Sequence, residues 1–260
     1  MNLIKSEFLK VIYQRRTYGL LLVGVALAAL ATGVSPWAMT QLTQGNLGSL
    51  ASAAAIDSVY AKALGSYIFV VIIGVMMMAS EFQHHTAIAT YLVSPKRSNA
   101  YFAKLVVATV VGALYMLITT GLGMVAGAIA LGYYPDAVAP TDGKIIDLLA
   151  ASLLIGAVLS VMGLAIGTLI RNQNAAVTTS LVWFFLVDRL LGVLFTDIGK
   201  YLPTGLVTAM TNLQVKVKTG GITIDSSQYL DPWPATGLLL AYGVVFGAVA
   251  MATSMRRDID

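Results

Sequence analysis

The stretch Leu148–Ile170, LLAASLLIGAVLSVMGLAIGTLI, runs for 23 residues without one charged side chain. As a helix it rises about 35 Å at 1.5 Å per residue, and a bilayer core needs roughly 20 apolar residues per span. Five other stretches share this character: Tyr18–Val34, Ala63–Ala79, Leu105–Leu131, Ala175–Phe195 and Ala235–Thr253. The first two of these are short and are expected to borrow flanking residues, whereas Leu105–Leu131 is long enough to tilt or project beyond the bilayer. The whole composition agrees: of 260 residues, 58% are hydrophobic and 11% charged, with mean hydropathy +0.81. A water-soluble domain carries about 25% charged residues because its surface needs them. The fold class is therefore an all-α membrane protein, six transmembrane helices forming one domain over residues 1–260.

The net charge of +4 follows membrane topology rather than a nucleic-acid surface. With the N-terminus inside, the inner segments hold ten cations: Lys5, Lys10, Arg15, Arg16, Lys96, Arg97, Lys104, Arg171, Arg256 and Arg257. The outer segments hold five, Lys62, Lys144, Lys200, Lys216 and Lys218, and Arg189 lies within a span. Lys and Arg accumulate on the cytoplasmic side, so both termini are expected there. Met1–Arg16 does not read as a cleavable signal peptide, because its apolar run comes too late. It reads as an N-terminal amphipathic interfacial helix. Ile4, Phe8, Val11 and Ile12 share one face, and Lys5, Lys10, Gln14 and Arg15 fall away from it toward lipid headgroups.

The segment between spans five and six, residues 196–233, is too long for a plain connection. Pro203 can start a short helix with Leu206, Val207, Met210 and Leu213 on an apolar side, able to dip between spans. Val215, Val217, Ile222 and Ile224 then alternate with polar residues around Gly220-Gly221, a hairpin signal. A small extracellular cap is expected.

Candidate chemistry is sparse. The chain has no cysteine, which excludes disulfides and Cys-ligated metal. A phosphate loop requires G-x-x-x-x-G-K-[ST]. The Gly143-Lys144 and Gly199-Lys200 pairs are followed by Ile145 and Tyr201, and Val138 and Leu194 stand where the first glycine belongs. ATP hydrolysis must come from another polypeptide, and no cofactor, metal or catalytic residue is expected on this chain. Glu81, His84 and His85 lack the H-E-x-x-H order, and adjacent helical histidines diverge by about 100°. Met76-Met77-Met78 reads as packing rather than a copper path. Asp188 and Arg189 stand out, because intramembrane charges are costly and normally face a bundle interior or a wet cavity. They are candidate pathway or structural charges, each expected to face protein or water with its own partner.

The loop between spans two and three reads SEFQHHTAIATYLVSPKRSNAYFAK over Ser80–Lys104. Phe82, Thr86, Ala89 and Leu92 fall near one helical face, and Ser94-Pro95 ends that helix. Here the sequence resembles the ABC-2 type transporter permeases, the small six-span subunits of bacterial antibiotic, bacteriocin and multidrug exporters. That family shows a glutamate after span two, a Gly-Thr-Leu-like segment, Leu-x-x-Pro-x-x-Arg and a later lysine opening span three. Glu81, Thr86, Leu92, Pro95 and Lys104 match. Arg97 follows the proline by two residues instead of three, and His85 and Ala87 flank Thr86.

The resemblance implies a cytoplasmic coupling loop over residues 81–97, with Glu81, Phe82, Thr86, Leu92, Pro95 and Arg97 as ATPase-coupling residues. It also implies two cytoplasmic ATPase subunits carrying ATP and Mg, and a second copy of this permease or a homologous one. The location implied is the bacterial inner membrane, with no nucleic-acid partner. The expected function is ATP-driven export of an amphipathic or lipophilic substrate, since the spans offer few polar groups. An ATP-independent immunity or channel-like protein is the alternative, and an intramembrane enzyme would need clustered polar residues at one depth.

Overall fold

In the computed structural model, residues 3–42, 50–83, 97–170, 172–211, 216–219, 222–225 and 229–256 are described. Each of the six expected spans is present, five with wider bounds and the fifth ending one residue short of Phe195. They are Arg15–Gln41, Ala53–Gln83, Ser98–Leu131, Lys144–Ile170, Gln173–Leu194 and Pro232–Thr253. The short stretches at Tyr18 and Ala63 do recruit their flanks.

Helix α1 (Leu3–Tyr13) precedes α2 (Arg15–Leu42), the first span. The second span joins α3 (Ala53–Ala61) through a 3-10 turn at Lys62–Ser66 to α4 (Tyr67–Gln83). Ser52 starts it by accepting the Ala55 amide at 3.3 Å, the usual N-cap arrangement. Helices α5 (Arg97–Leu131) and α6 (Lys144–Ile170) are the third and fourth spans. Asn172 caps α7 (Gln173–Val182) through the Ala175 amide at 3.0 Å, so the chain turns back within two residues of α6. A π turn at Trp183–Val187 leads from α7 into α8 (Asp188–Leu194), completing the fifth span. Then come α9 (Thr196–Gly199), α10 (Pro203–Met210) and α11 (Pro232–Arg256), the sixth span. Between α10 and α11, β1 (Lys216–Thr219) pairs antiparallel with β2 (Ile222–Asp225), and Thr219 opposes Ile222. The antiparallel pairing is the one the alternation predicts, and the expected Gly220-Gly221 turn lies outside the described residues.

The second and fourth spans form the centre, burying 78% and 67% of their most apolar stretches, against 17% for the first and fifth spans. Lipid tails are as apolar as leucine, so helices associate here by close van der Waals packing at small residues. A β-carbon on Gly163 or Gly167 would collide with the carbonyl of Val71 or Val75, and one on Gly74 with that of Ser160. Gly112 and Gly156 bring α5 against α6 in the same way. Hydroxyls add interhelical ties: Ser160 Oγ donates to Ala108 O at 2.7 Å, and Thr32 Oγ1 to Gly123 O at 2.6 Å. Met76, Met77 and Met78 are all buried, in keeping with a packing role.

Helix α10 enters between the spans, as its apolar side predicts. Pro203 occupies its first turn, where a missing N–H costs nothing. Thr204 lies beside Tyr67 at 3.3 Å, and Thr211 O accepts from Lys144 Nζ at 2.6 Å.

Candidate coupling site

Helix α1 turns one polar and one apolar residue inward: Glu7 and Val11 are buried, while Ile4, Leu9, Ile12 and Tyr13 are exposed. Of the expected stripe, Val11 and the half-buried Phe8 pack on the bundle, and Ile4 and Ile12 face outward. Glu7 is 3% exposed, yet it is fully compensated. Its carboxylate accepts from Lys104 Nζ at 2.6 Å and from Lys10 Nζ at 2.6 Å. Glu81, at the end of α4, accepts from the same two ammonium groups, at 2.6 Å from Lys104 and 2.9 Å from Lys10. Two carboxylates and two ammonium groups thus form a cluster of paired opposite charges joining α1, the end of α4 and the start of α5.

Burial alone pushes the Glu7 carboxyl up. Lys104 and Lys10 outweigh it and hold the group below the usual carboxylate range. For Lys10, burial pulls downward, and its hydrogen bonds to Glu7 and Glu81 reverse that and raise it. Both groups are ionised near neutral pH. The cluster fixes three helix ends to one another. A buried pair adds little net stability, but breaking it strands a charge at a cost of about 3–5 kcal/mol.

The assignment of Lys10 to headgroups is corrected: it bridges Glu7 and Glu81 instead. The reason is reach. A lysine one turn from Glu7 on the same helix meets a second acid whose position the local sequence does not report. Glu7 itself was not among the expected site residues, although a lone acid beside Lys5, Lys10, Arg15 and Arg16, four residues before Val11, marks the inward face. Glu81 is drawn into the cluster, and Phe82 is half-buried against the core. Thr86, Leu92 and Pro95 lie outside the described residues, with His84 and His85. Arg97 opens α5, and its side chain is likewise outside them. Nearby, Gln83 Oε1 accepts the Gln173 amide at 3.1 Å and Arg16 reaches Gln173 Oε1 at 3.4 Å, so the same end also holds the start of the fifth span.

Asp188 and Arg189 are separated by the helix. Asp188 is 2% exposed and accepts the Thr204 amide at 3.2 Å, tying the fifth span to the start of α10. Arg189 lies on the exposed side. Two more buried charges hold this far end: Asp57 accepts from the Thr141 amide at 3.0 Å and hydroxyl at 2.6 Å, and Lys144 is bound to Thr211 O.

Residues 3–188 match the family described as ABC-2 family transporter protein, a stretch containing the whole cluster and ending on Asp188. The chain belongs to the ABC-2 transporter family. As an ABC-2 family protein it is a multi-pass membrane permease of an ABC transporter, and members of this family work with ATP-binding partners. No match was found among curated proteins. The cluster of Glu7, Lys10, Glu81 and Lys104 brackets residues 84–96 of this ABC-2 permease on both sides.

Proposed function

We propose that this ABC-2 protein is the permease of an exporter that moves an amphipathic or lipophilic substrate, using ATP and Mg held by two separate cytoplasmic ATPase subunits. The buried four-charge cluster carries the reading. Force applied to the loop 84–96 by the partner ATPases passes into Glu81, Phe82 and Arg97. The ion pairs keep the ends of the second and third spans and α1 moving as one body. Alternating access then follows from displacing this body against a second copy of the permease or a homologous subunit. The bias of lysine and arginine toward the α1 end supports placing that end, and both termini, in the cytoplasm of a bacterium with the chain in its inner membrane.

The test is to reconstitute the full chain with an ABC ATPase that co-purifies with it and measure ATP turnover and export together. Glu81→Lys and Phe82→Asp are expected to uncouple the two while the protein stays in the membrane. Burying an apolar side chain such as Phe82 contributes about 1.5–3 kcal/mol, so a charge there weakens the contact severely. ATP turnover by the isolated chain, or normal export by both variants, defeats the proposal. Topology is tested apart, since the chain lacks cysteine. An impermeant thiol reagent on intact cells should label Ser227→Cys, and exclusive labelling of Ser6→Cys reverses the orientation.

A further inference from the structure

A cavity of about 410 Å³ lies between the fourth, fifth and sixth spans, walled by Met162, Ile166, Trp183, Phe184 and Phe246, with Pro203 also in its lining. We propose that it binds one aliphatic chain of a membrane amphiphile. Its size falls in the ordinary range for ligand sites, roughly 300–1,000 Å³. The lining carries no acid and no base. Two of its polar groups are already engaged: Ser180 Oγ donates to Ala176 O at 2.9 Å, and Tyr242 Oη to Tyr201 O at 3.1 Å. Only the Thr179 hydroxyl and the Trp183 indole N–H add side-chain polarity to an otherwise apolar wall, so a polar ligand recovers little of the hydration it gives up. Water gains little either, because apolar cavities stay dry and take up apolar guests.

The shape selects a chain. Along α6 the lining runs from Met162 to Ile170, about 12 Å at 1.5 Å per residue, toward the α1 end. The outer faces of the two flanking spans are apolar and exposed at Phe185, Leu186, Val244 and Val245, so the mouth borders hydrocarbon rather than water. The fifth span carries its π turn at Trp183–Val187, beginning at the wall residues Trp183 and Phe184. Such single-turn irregularities recur at functional sites. The cavity stands whether or not the charge cluster couples to an ATPase.

The experiment uses the full chain in phosphatidylcholine vesicles, doped either with phosphatidylcholine bearing a diazirine in one acyl chain or with a diazirine fatty acid. Irradiation is followed by mapping of adducts. Adducts are expected to concentrate on the peptides holding Met162, Ile166, Trp183 and Phe246, above the level at the exposed Leu22 and Val125. Ile166→Trp and Thr179→Phe each narrow the cavity and should lose most of this labelling while keeping that at Leu22 and Val125. Concentration with the phospholipid assigns the chain to the bilayer, and with the fatty acid alone to a single-chain amphiphile. Adducts no denser in the cavity than at Leu22 and Val125, or unchanged in both variants, overturn the proposal.

Discussion

The two ends of the bundle bury charge by different means. At the α1 end, charge meets charge: Lys104 and Lys10 are shared between Glu7 and Glu81. At the far end, buried charges are also tied to neutral groups: Asp57 to Thr141, Asp188 to the Thr204 amide, and Lys144 to Thr211 O, with the charges of Asp57 and Asp147 acting on Lys144 as well. The described ion pair there, Lys200–Asp197 at 3.7 Å, has a fully solvated carboxylate. A shared network couples its members, so the loss of one charge unbalances the rest. A charge held by backbone groups can be replaced by a neutral residue of the same shape that keeps the hydrogen bond. The first arrangement suits parts that move together, and the second suits parts that hold still.

The largest expected effect follows from breaking the shared network. Lys104→Met takes from the buried Glu7 and from Glu81 an ammonium group that both share at 2.6 Å, and breaking such a buried pair costs about 3–5 kcal/mol. Thermal unfolding in detergent should show a large loss for Lys104→Met. Combining it with Glu7→Gln, which restores the charge balance, should recover much of it. If the double variant is as unstable as the sum of the single ones, the four residues do not act as a network.

A smaller effect is expected at the far end. Asp188→Asn keeps a carbonyl oxygen for the Thr204 amide and should unfold close to the parent. Asp188→Leu strands that buried amide, at about 1–3 kcal/mol. Arg189, exposed, should tolerate leucine in the fold, so export by folded Arg189→Leu separates a pathway role from a structural one. A collapse of Asp188→Asn equal to that of Lys104→Met would erase the distinction between the two ends.

Much of this was legible in the sequence. All six spans announce themselves, because an apolar run long enough to cross a bilayer has few other uses. The pairing of β1 with β2 and the buried Pro203 helix were readable from alternation and from proline placement. The cluster was not, since Glu7 and Lys104 stand 97 residues apart and periodicity reports a face without naming what covers it. Reading Lys10 as a headgroup contact failed for the same reason. The split of Asp188 from Arg189 was half legible: adjacent helical residues must diverge, but which one faces inward depends on the turn at Trp183–Val187, which no residue pattern signals.

The smallest effect concerns pH, and it separates the ends without any mutation. Glu7 is held below its ordinary 4.5, so its contribution is complete above about pH 4.5 and is lost as pH falls through the lowered value. Lys10 is raised above its ordinary 10.5, so its contribution is complete below that pH and is lost as pH rises through the raised value. Between those limits the docking of α1 should be flat. Spin labels at Tyr13→Cys and Asn99→Cys, both exposed and on either side of the cluster, report the separation of α1 from the third span. Pulsed distance measurements should give one narrow distribution across the plateau, and a broadened one on acidification below about pH 4.5. Adding Glu7→Gln removes the group that titrates first and should flatten that acid response. A distribution that broadens near neutral pH, or an acid response unchanged by Glu7→Gln, would mean that α1 is held by its apolar contacts at Phe8 and Val11 and that the ion pairs are passengers.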